Sequence, residues 1–141
     1  MDNSDWTISR KPYDLRERLF LFACLMMRVA QFLHTRGPIA VSLSAQVLKS
    51  GTSAGANYEE ADDGSSDRDT LAKKRIVLRE LKETQFRLRV LRQAGILTAA
   101  QDPVIAECGE LVKIVAAIVR KSRPSPEPPP TNPIPPSEPP I

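Results

Sequence analysis

A run of small residues near the middle of the 141-residue chain most constrains its fold. Residues 50–61 read SGTSAGANYEEA and lie between hydrophobic segments that have the period of helices. Two glycines four residues apart, Gly51 and Gly55, each disfavour a helix interior by about 1 kcal/mol relative to alanine. We therefore expect the small-residue side of this helix to lie unusually close to a neighbouring helix.

Four amphipathic segments with short breaks and no strand pattern predict an all-α, up-down-up-down four-helix bundle. The first helix follows the capping residue Asp14. The second runs from about residue 39 to 62, and the third from about 67 to 94, with Gly95 just beyond its end. The fourth helix begins either at a cap formed by Thr98 or at Asp102 with Pro103 in its first turn.

Each predicted helix carries an apolar line at alternating steps of three and four residues. The lines comprise Leu15, Leu19, Phe22, Met26, Val29 and Leu33; Leu43, Val47, Ser50, Ala54, Asn57 and Ala61; Val77, Leu81, Thr84, Leu88 and Leu91; and Val104, Cys108, Leu111, Val115 and Ile118. The first helix has a second line, Phe20, Ala23, Met27 and Ala30, and the third has Ala72, Ile76 and Val90 on its other side. Such extra faces favour self-association, since a lone bundle buries one side of each helix.

Composition divides the chain into an N-terminal extension (residues 1–13), a bundle (14–123) and a proline-rich tail (124–141). Ten of the 13 prolines lie in the tail, which cannot form helix and should be extended and disordered. All 20 Lys and Arg residues precede the tail, whereas two of the 17 acidic residues, Glu127 and Glu138, lie in it. The tail is either a spacer or a docking peptide for a protein partner.

The two cysteines, Cys24 and Cys108, lie among apolar helical residues, so we expect buried, reduced thiols. The N-terminus lacks the pattern of a signal peptide, and the longest apolar run, residues 19–27, is too short to span a bilayer. These features predict a cytoplasmic protein with no membrane partner.

No pattern of catalytic or metal-ligating residues is evident, so we expect neither enzymatic activity nor a metal or cofactor. Polar residues do fall on or beside the core lines. Because buried polar groups need partners, we expect a structural polar core that fixes helix register. Its predicted members are Asn57, Glu60, Glu80, Glu83 and Gln85.

The third helix also carries a basic stripe with an aromatic residue, Phe86, among its members. The stripe comprises Arg68, Arg75, Arg79, Lys82 and Arg89. Most acidic residues of this helix lie on its far side, so the stripe is a candidate for contacts with the phosphates of RNA or DNA. Arg120, Lys121 and Arg123 form a secondary basic patch. A solvated face, or one paired to acids on another helix, is the alternative interpretation.

Two segments resemble the four-helix-bundle proteins encoded in intervening sequences of bacterial 23S rRNA genes. They are residues 48–61, LKSGTSAGANYEEA, and residues 78–91, LRELKETQFRLRVL, within a resemblance that extends from about Tyr13 to Arg123. The small-residue motif followed by Asn57 and Glu60, and then the Glu83-Thr84 pair, carry the specificity of this match. The proline-rich tail lies outside the family pattern.

The resemblance implies a small bundle that assembles as a homopentamer and has no established enzymatic activity. It also implies structural roles for Asn57, Glu60, Glu80 and Glu83. The accessory protein of diversity-generating retroelements is similar in architecture, and it binds nucleic acid and a reverse transcriptase. We therefore expect either a nucleic-acid-binding oligomer or a protein-interaction scaffold, such as a reverse-transcriptase accessory subunit, that presents proline-rich tails.

Overall fold

A computed structural model describes residues 5–8, 11–63 and 66–122. Within these residues the chain forms the predicted all-α, up-down-up-down four-helix bundle, with no strand. The helices are α1 (Leu15–Leu33), α2 (Pro38–Asp62), α3 (Asp67–Gln93) and α4 (Asp102–Lys121). α2 packs extensively against α1 and α3, α3 packs against α4, and α1 and α4 share a much smaller contact. The predicted tail, 124–141, lies outside the described residues.

Local capping interactions account for the helix boundaries. The Asp14 carboxylate accepts a hydrogen bond from the Arg16 amide, and the Ser66 hydroxyl accepts one from the Asp69 amide. Gly95 follows α3 with φ of 79°, the left-handed conformation that favours glycine. Thr98 caps a 3₁₀ turn, Ala99–Gln101, in a reciprocal capping box with Gln101, and α4 begins directly afterwards. Both predicted starts therefore occur: Thr98 caps the 3₁₀ turn, and the α-helix continues from Asp102.

The predicted apolar lines form the core. The line on α3 is entirely buried, and the lines on the other helices are buried except at a few half-buried positions. Between α2 and α3, the hydroxyl of Thr84 donates a hydrogen bond to the hydroxyl of Ser50 over 2.8 Å in the buried interior. This bond links the polar members of two otherwise apolar lines and so favours one register of the two helices.

The close approach predicted for the small-residue run occurs between α1 and α2. A Cβ atom added at Gly51 would lie 2.2 Å from Cγ of Met26, a distance that no real Cβ tolerates. At Gly55 the nearest atom would be the backbone oxygen of Leu19 at 3.5 Å, which is ordinary van der Waals contact. Gly51 is therefore required for the packing of Met26, whereas Gly55 leaves room for one methyl group.

Trp6 of the N-terminal extension packs onto the C-terminal end of α1. Its ring is buried and lies edge-on to Phe32, with 5.9 Å between ring centroids, and the Arg28 guanidinium lies 4.7 Å from the Trp6 ring centroid. Tyr13, at the other end of this extension, is fully exposed.

Cys108 is buried as predicted, but Cys24 is exposed. Cys24 lies between the exposed residues Phe20 and Met27 on the outer face of α1. An apolar neighbourhood in sequence did not imply burial here, since the surrounding apolar residues occupy both faces of the helix. No helix among the described residues has the length and apolar character needed to cross a membrane.

Candidate nucleic-acid interface

A groove of about 710 Å³ runs between α2 and α3. Its floor is apolar and consists of Leu43 and Val47 from α2 with Leu78 and Leu91 from α3. Two further apolar side chains, Phe86 and Val90, line the groove while remaining 64% and 44% exposed. In the floor, Val47 and Leu91 are buried, whereas Leu43 and Leu78 are half-buried and leave part of their apolar surface accessible to solvent.

The rim of the groove is basic. Of the charged residues that line it, four are basic and one, Glu83, is acidic. The basic members are Arg75, Arg79, Lys82 and Arg87. Three of these belong to the basic stripe predicted from sequence, and Arg87 was not included in that prediction. On α3, these basic side chains lie to one side of the buried apolar line of the same helix. The helical period therefore places them at the edge of the apolar floor.

Few acidic groups neutralise the rim within the described residues. Arg87 pairs with Glu83 at 3.7 Å, one helical turn away. Arg79 lies 4.0 Å from the Glu80 carboxylate while its side chain remains 65% exposed. Arg75 and Lys82 are exposed, with no ion pair to another described residue. The groove is thus a surface of positive potential over an apolar floor, which can attract an anionic ligand and bury part of it.

The remaining predicted basic residues lie outside the groove. Arg68 is exposed in the first turn of α3, and Arg89 is exposed further along the same helix. Arg120 and Lys121 are exposed in the last turn of α4, where they complement the negative end of the helix dipole. Arg123 lies outside the described residues. The groove therefore contains three of the eight predicted contact residues.

The predicted structural polar core needs correction. Glu60 and Glu83 have side chains that are 63% and 45% exposed and pair at the surface with Lys73 and Arg87, respectively. Asn57 is half-buried and donates its amide hydrogen bond to the Ser53 carbonyl oxygen of its own helix at 2.9 Å. Glu80 and Gln85 are half-buried on α3, and Gln85 lies beside Gly109 of α4. Among the described residues, no hydrogen bond or ion pair joins two of these five side chains, since Glu60 and Glu83 lie at the surface and Asn57 bonds to its own helix.

An ion cluster between α1 and α4, with a buried and an exposed side, holds the polar groups that the sequence interpretation missed. Glu107 is 1% exposed and accepts two hydrogen bonds from the Arg18 guanidinium, from Nε at 2.9 Å and from Nη2 at 2.5 Å. Arg18 also contacts Glu110, and Lys11 donates to Glu110 at 2.7 Å. These contacts raise the pKa of Arg18 and lower that of Glu110.

The spacing of two charged residues could have revealed this cluster. Arg18 lies three residues after Leu15 and four before Phe22, so it falls on the core line of α1. Glu107 stands in the same relation to Val104 and Leu111 on α4. Opposite charges on the apolar faces of two neighbouring helices indicate a buried ion pair.

The described residues contain no group of three or more His, Cys, Asp or Glu side chains that could hold a metal ion. Burial, with the Glu107 carboxylate nearby, raises the pKa of the Cys108 thiol to about 12. Its sulfur donates to the Leu81 carbonyl oxygen at 3.5 Å. At neutral pH this thiol is therefore protonated, and it serves the packing of α3 against α4.

Comparison with known proteins finds a structural relative. No protein-family model matches the chain, and no curated protein matches it. A 1.70 Å crystal structure of a protein of unknown function from Bacteroides thetaiotaomicron VPI-5482, of the S23 ribosomal protein family, has a TM-score of 0.69 and 27% sequence identity. The match covers 76% of this chain and 99% of that chain. This likeness supports the family link.

The S23 relative is similar to this chain in fold. It has a known structure and an unknown function. Its chain is matched almost in full, so the common part is a complete small helical domain. The part of this chain beyond the match is additional to that domain.

Proposed function

We propose that this chain is a non-enzymatic, oligomeric bundle protein that binds the backbone of RNA or DNA through the basic rim of the α2–α3 groove. The observation that carries the proposal is the group Arg75, Arg79 and Lys82, exposed on one side of α3 with one weak acidic contact, from Glu80 to Arg79. Most protein contacts to nucleic acid involve phosphate, and arginine binds phosphate through paired donors.

The aromatic residue at the rim supports the same proposal. Phe86 is 64% exposed beside the basic side chains. Stacking of a base on an aromatic ring contributes about 1–3 kcal/mol and tolerates any base. The combination of basic groups and one exposed ring therefore suits single-stranded segments without sequence preference.

Assembly would strengthen this binding. One chain carries a formal net charge of only +3, so its own field is modest. Phe20 and Met27 on α1 are about half-exposed, and we infer that they form part of a subunit interface. Several grooves in one assembly would then contact one nucleic acid, and linked contacts raise the overall affinity.

Fluorescence anisotropy with fluorescein-labelled structured RNA and duplex DNA, at low and near-physiological salt, tests the proposal. We expect micromolar or tighter binding with a steep salt dependence. The double variant R75E/R79E should weaken binding by roughly tenfold or more and reduce the salt slope by about two. The control K49E/K113E changes the net charge equally at exposed lysines that do not line the groove.

Equal affinity of R75E/R79E and K49E/K113E would contradict the assignment of the groove. A chain shortened after Arg123 separates this function from that of a scaffold. Nucleic-acid binding should survive the deletion, whereas a scaffold that presents proline-rich tails would lose its protein partner.

A further inference from the structure

We propose that the α2–α3 groove is also the docking site of the chain's own proline-rich segment, residues 124–141. The first argument is charge complementarity. The groove has four basic rim residues and one acidic residue. The segment contains Glu127 and Glu138 and no Lys or Arg. Its charge is therefore opposite in sign to that of the rim.

The apolar character of the groove fits the same occupant. Proline-rich segments favour the extended polyproline II conformation and dock into grooves that contain exposed aromatic side chains. The groove offers Phe86 and Val90 at its margin and the half-buried Leu43 and Leu78 in its floor. Ten prolines and two isoleucines, Ile134 and Ile141, give the segment the apolar surface that such a floor would cover.

The length of the segment is sufficient. α4 ends at Lys121 beside the N-terminal half of α3, since Arg92 near the end of α3 pairs with Asp102 at the start of α4. From Arg75 to Val90 the groove extends about 22 Å along α3 at 1.5 Å per residue. To reach the groove from the end of α4, the segment must also cross the width of α3, about 10–12 Å. Eighteen residues of polyproline II span about 56 Å at 3.1 Å per residue.

These distances predict which residues of the segment lie opposite which residues of the groove. Glu127, five residues beyond Ser122, reaches about 15 Å at the same rise, far enough to meet Arg75 and Arg79 at the lower end of the rim. Ile134 then reaches the upper part of the apolar floor, near Leu43 and Val90. The segment covers the three basic residues assigned above to nucleic acid, so it would compete with that ligand. The competition, though not the docking, rests on the proposed function.

A spin label on the segment tests docking in the full chain without nucleic acid. Cys24, the exposed thiol, is replaced by serine, and Ser137→Cys provides the labelling site, three residues beyond Ile134. Cys108 is buried and does not react. We expect methyl signals of Leu43, Val47 and Val90 to lose more than half their intensity, while those of Ile118, at the opposite end of α4, are retained.

Charge reversal tests the register. Glu127→Arg and Arg75→Glu should each reduce the broadening about two- to fivefold, as expected for loss of a surface ion pair. The double variant E127R/R75E should restore it. Mixing spin-labelled with isotope-labelled chains should give no broadening if each segment docks on its own chain. Absence of broadening in the groove, no rescue by the double variant, or broadening only between chains would each overturn the proposal.

A separate measurement, RNA binding by fluorescence anisotropy, tests whether the segment competes with nucleic acid for the groove. Ile134→Ser weakens docking without changing charge, so anisotropy should show about two- to fivefold tighter RNA binding. If the label reports docking but no variant binds RNA, the docking site stands and the proposed function fails. If RNA binds with the groove free of broadening, the proposed function stands and the docking site fails. Unchanged RNA affinity in Ile134→Ser, with docking weakened, would overturn the competition.

Discussion

Gly51 and Gly55 are both glycines of α2, but their surroundings differ. Alanine at position 51 would place its Cβ 2.2 Å from Cγ and 3.1 Å from Cβ of Met26. The Met26 side chain is fully buried and cannot move outwards. At position 55 the nearest atom would lie 3.5 Å away. The glycine pair therefore combines one steric requirement with one tolerant position.

We expect Gly51→Ala to lower the free energy of unfolding by about 1–3 kcal/mol, because overpacking exceeds the gain in helix propensity. Gly55→Ala is the matched control and should raise it by up to about 1 kcal/mol, since alanine favours the helix and meets no clash. Urea denaturation followed by circular dichroism measures both values. Stabilisation by both substitutions would show that Met26 rearranges at little cost.

Of the four helix pairs that pack side by side, α1 and α4 share the smallest contact, and the cluster of Lys11, Arg18, Glu107 and Glu110 lies between them. A buried ion pair is weak evidence of net stabilisation, but removal of one partner leaves a buried charge. The cluster therefore contributes to the specificity of the pairing between α1 and α4 more than to the net stability of the fold. Its consequences appear when one member is changed alone.

Arg18→Met should lower the free energy of unfolding by about 3–5 kcal/mol, because Glu107 would keep only Lys11, 3.7 Å away. The control Arg16→Met removes a surface pair with Glu59 at 3.6 Å and should cost less than about 1 kcal/mol. The double variant R18M/E107M should recover much of the loss. Equal, small effects of Arg18→Met and Arg16→Met in chemical denaturation would contradict this role.

The same cluster predicts a dependence of stability on pH. Hydrogen bonds from Lys11 and then Arg18 lower the pKa of Glu110 below its ordinary value of 4.5. The stabilisation is therefore present above pH 4.5 and is lost as the pH falls through the lowered pKa. In Glu110→Gln, the urea midpoint of unfolding should change less between pH 6 and pH 3 than in the wild type. An unchanged pH profile in this variant would show that Glu110 does not contribute.

For the whole molecule, the decisive question is what covers the apolar residues outside the core. Phe20 and Met27 lie seven residues apart on α1 with Cys24 between them, all on one exposed face. Phe86 and Val90 form a second exposed pair on α3. The second pair belongs to the groove, so the α1 face is the candidate subunit interface. If it meets a different surface of the next chain, the head-to-tail contact generates a closed ring when the rotation between subunits permits.

Light scattering coupled to size exclusion should give a mass that is a multiple of the 15.6 kDa chain, and a pentamer if the family resemblance extends to assembly. Phe20→Glu with Met27→Glu should shift the mass to the monomer without loss of helical signal, because charges would enter the interface. Ala99→Glu with Ala100→Glu, in the exposed 3₁₀ turn, is the control. A stable wild-type monomer at micromolar concentration would refute assembly.

The sequence by itself determined the four helices and their main core lines. Period, caps and breaks are local properties, so Asp14, Ser66 and Gly95 mark boundaries wherever the helices lie in space. The basic residues of α3 could likewise be placed on one stripe, because positions along a helix fix their mutual direction. The membership of the apolar lines followed from the same rule.

Only the tertiary structure decided which neighbours these faces meet. It distinguished Gly51 from Gly55, because the clash depends on the position of Met26 in another helix. It joined Arg18 to Glu107 across 89 residues and moved Glu60 and Glu83 to the surface. It also combined the basic stripe with an apolar floor, half of which comes from α2. Periodicity fixes the direction of a side chain on its own helix, whereas burial and charge pairing depend on the packing of several helices.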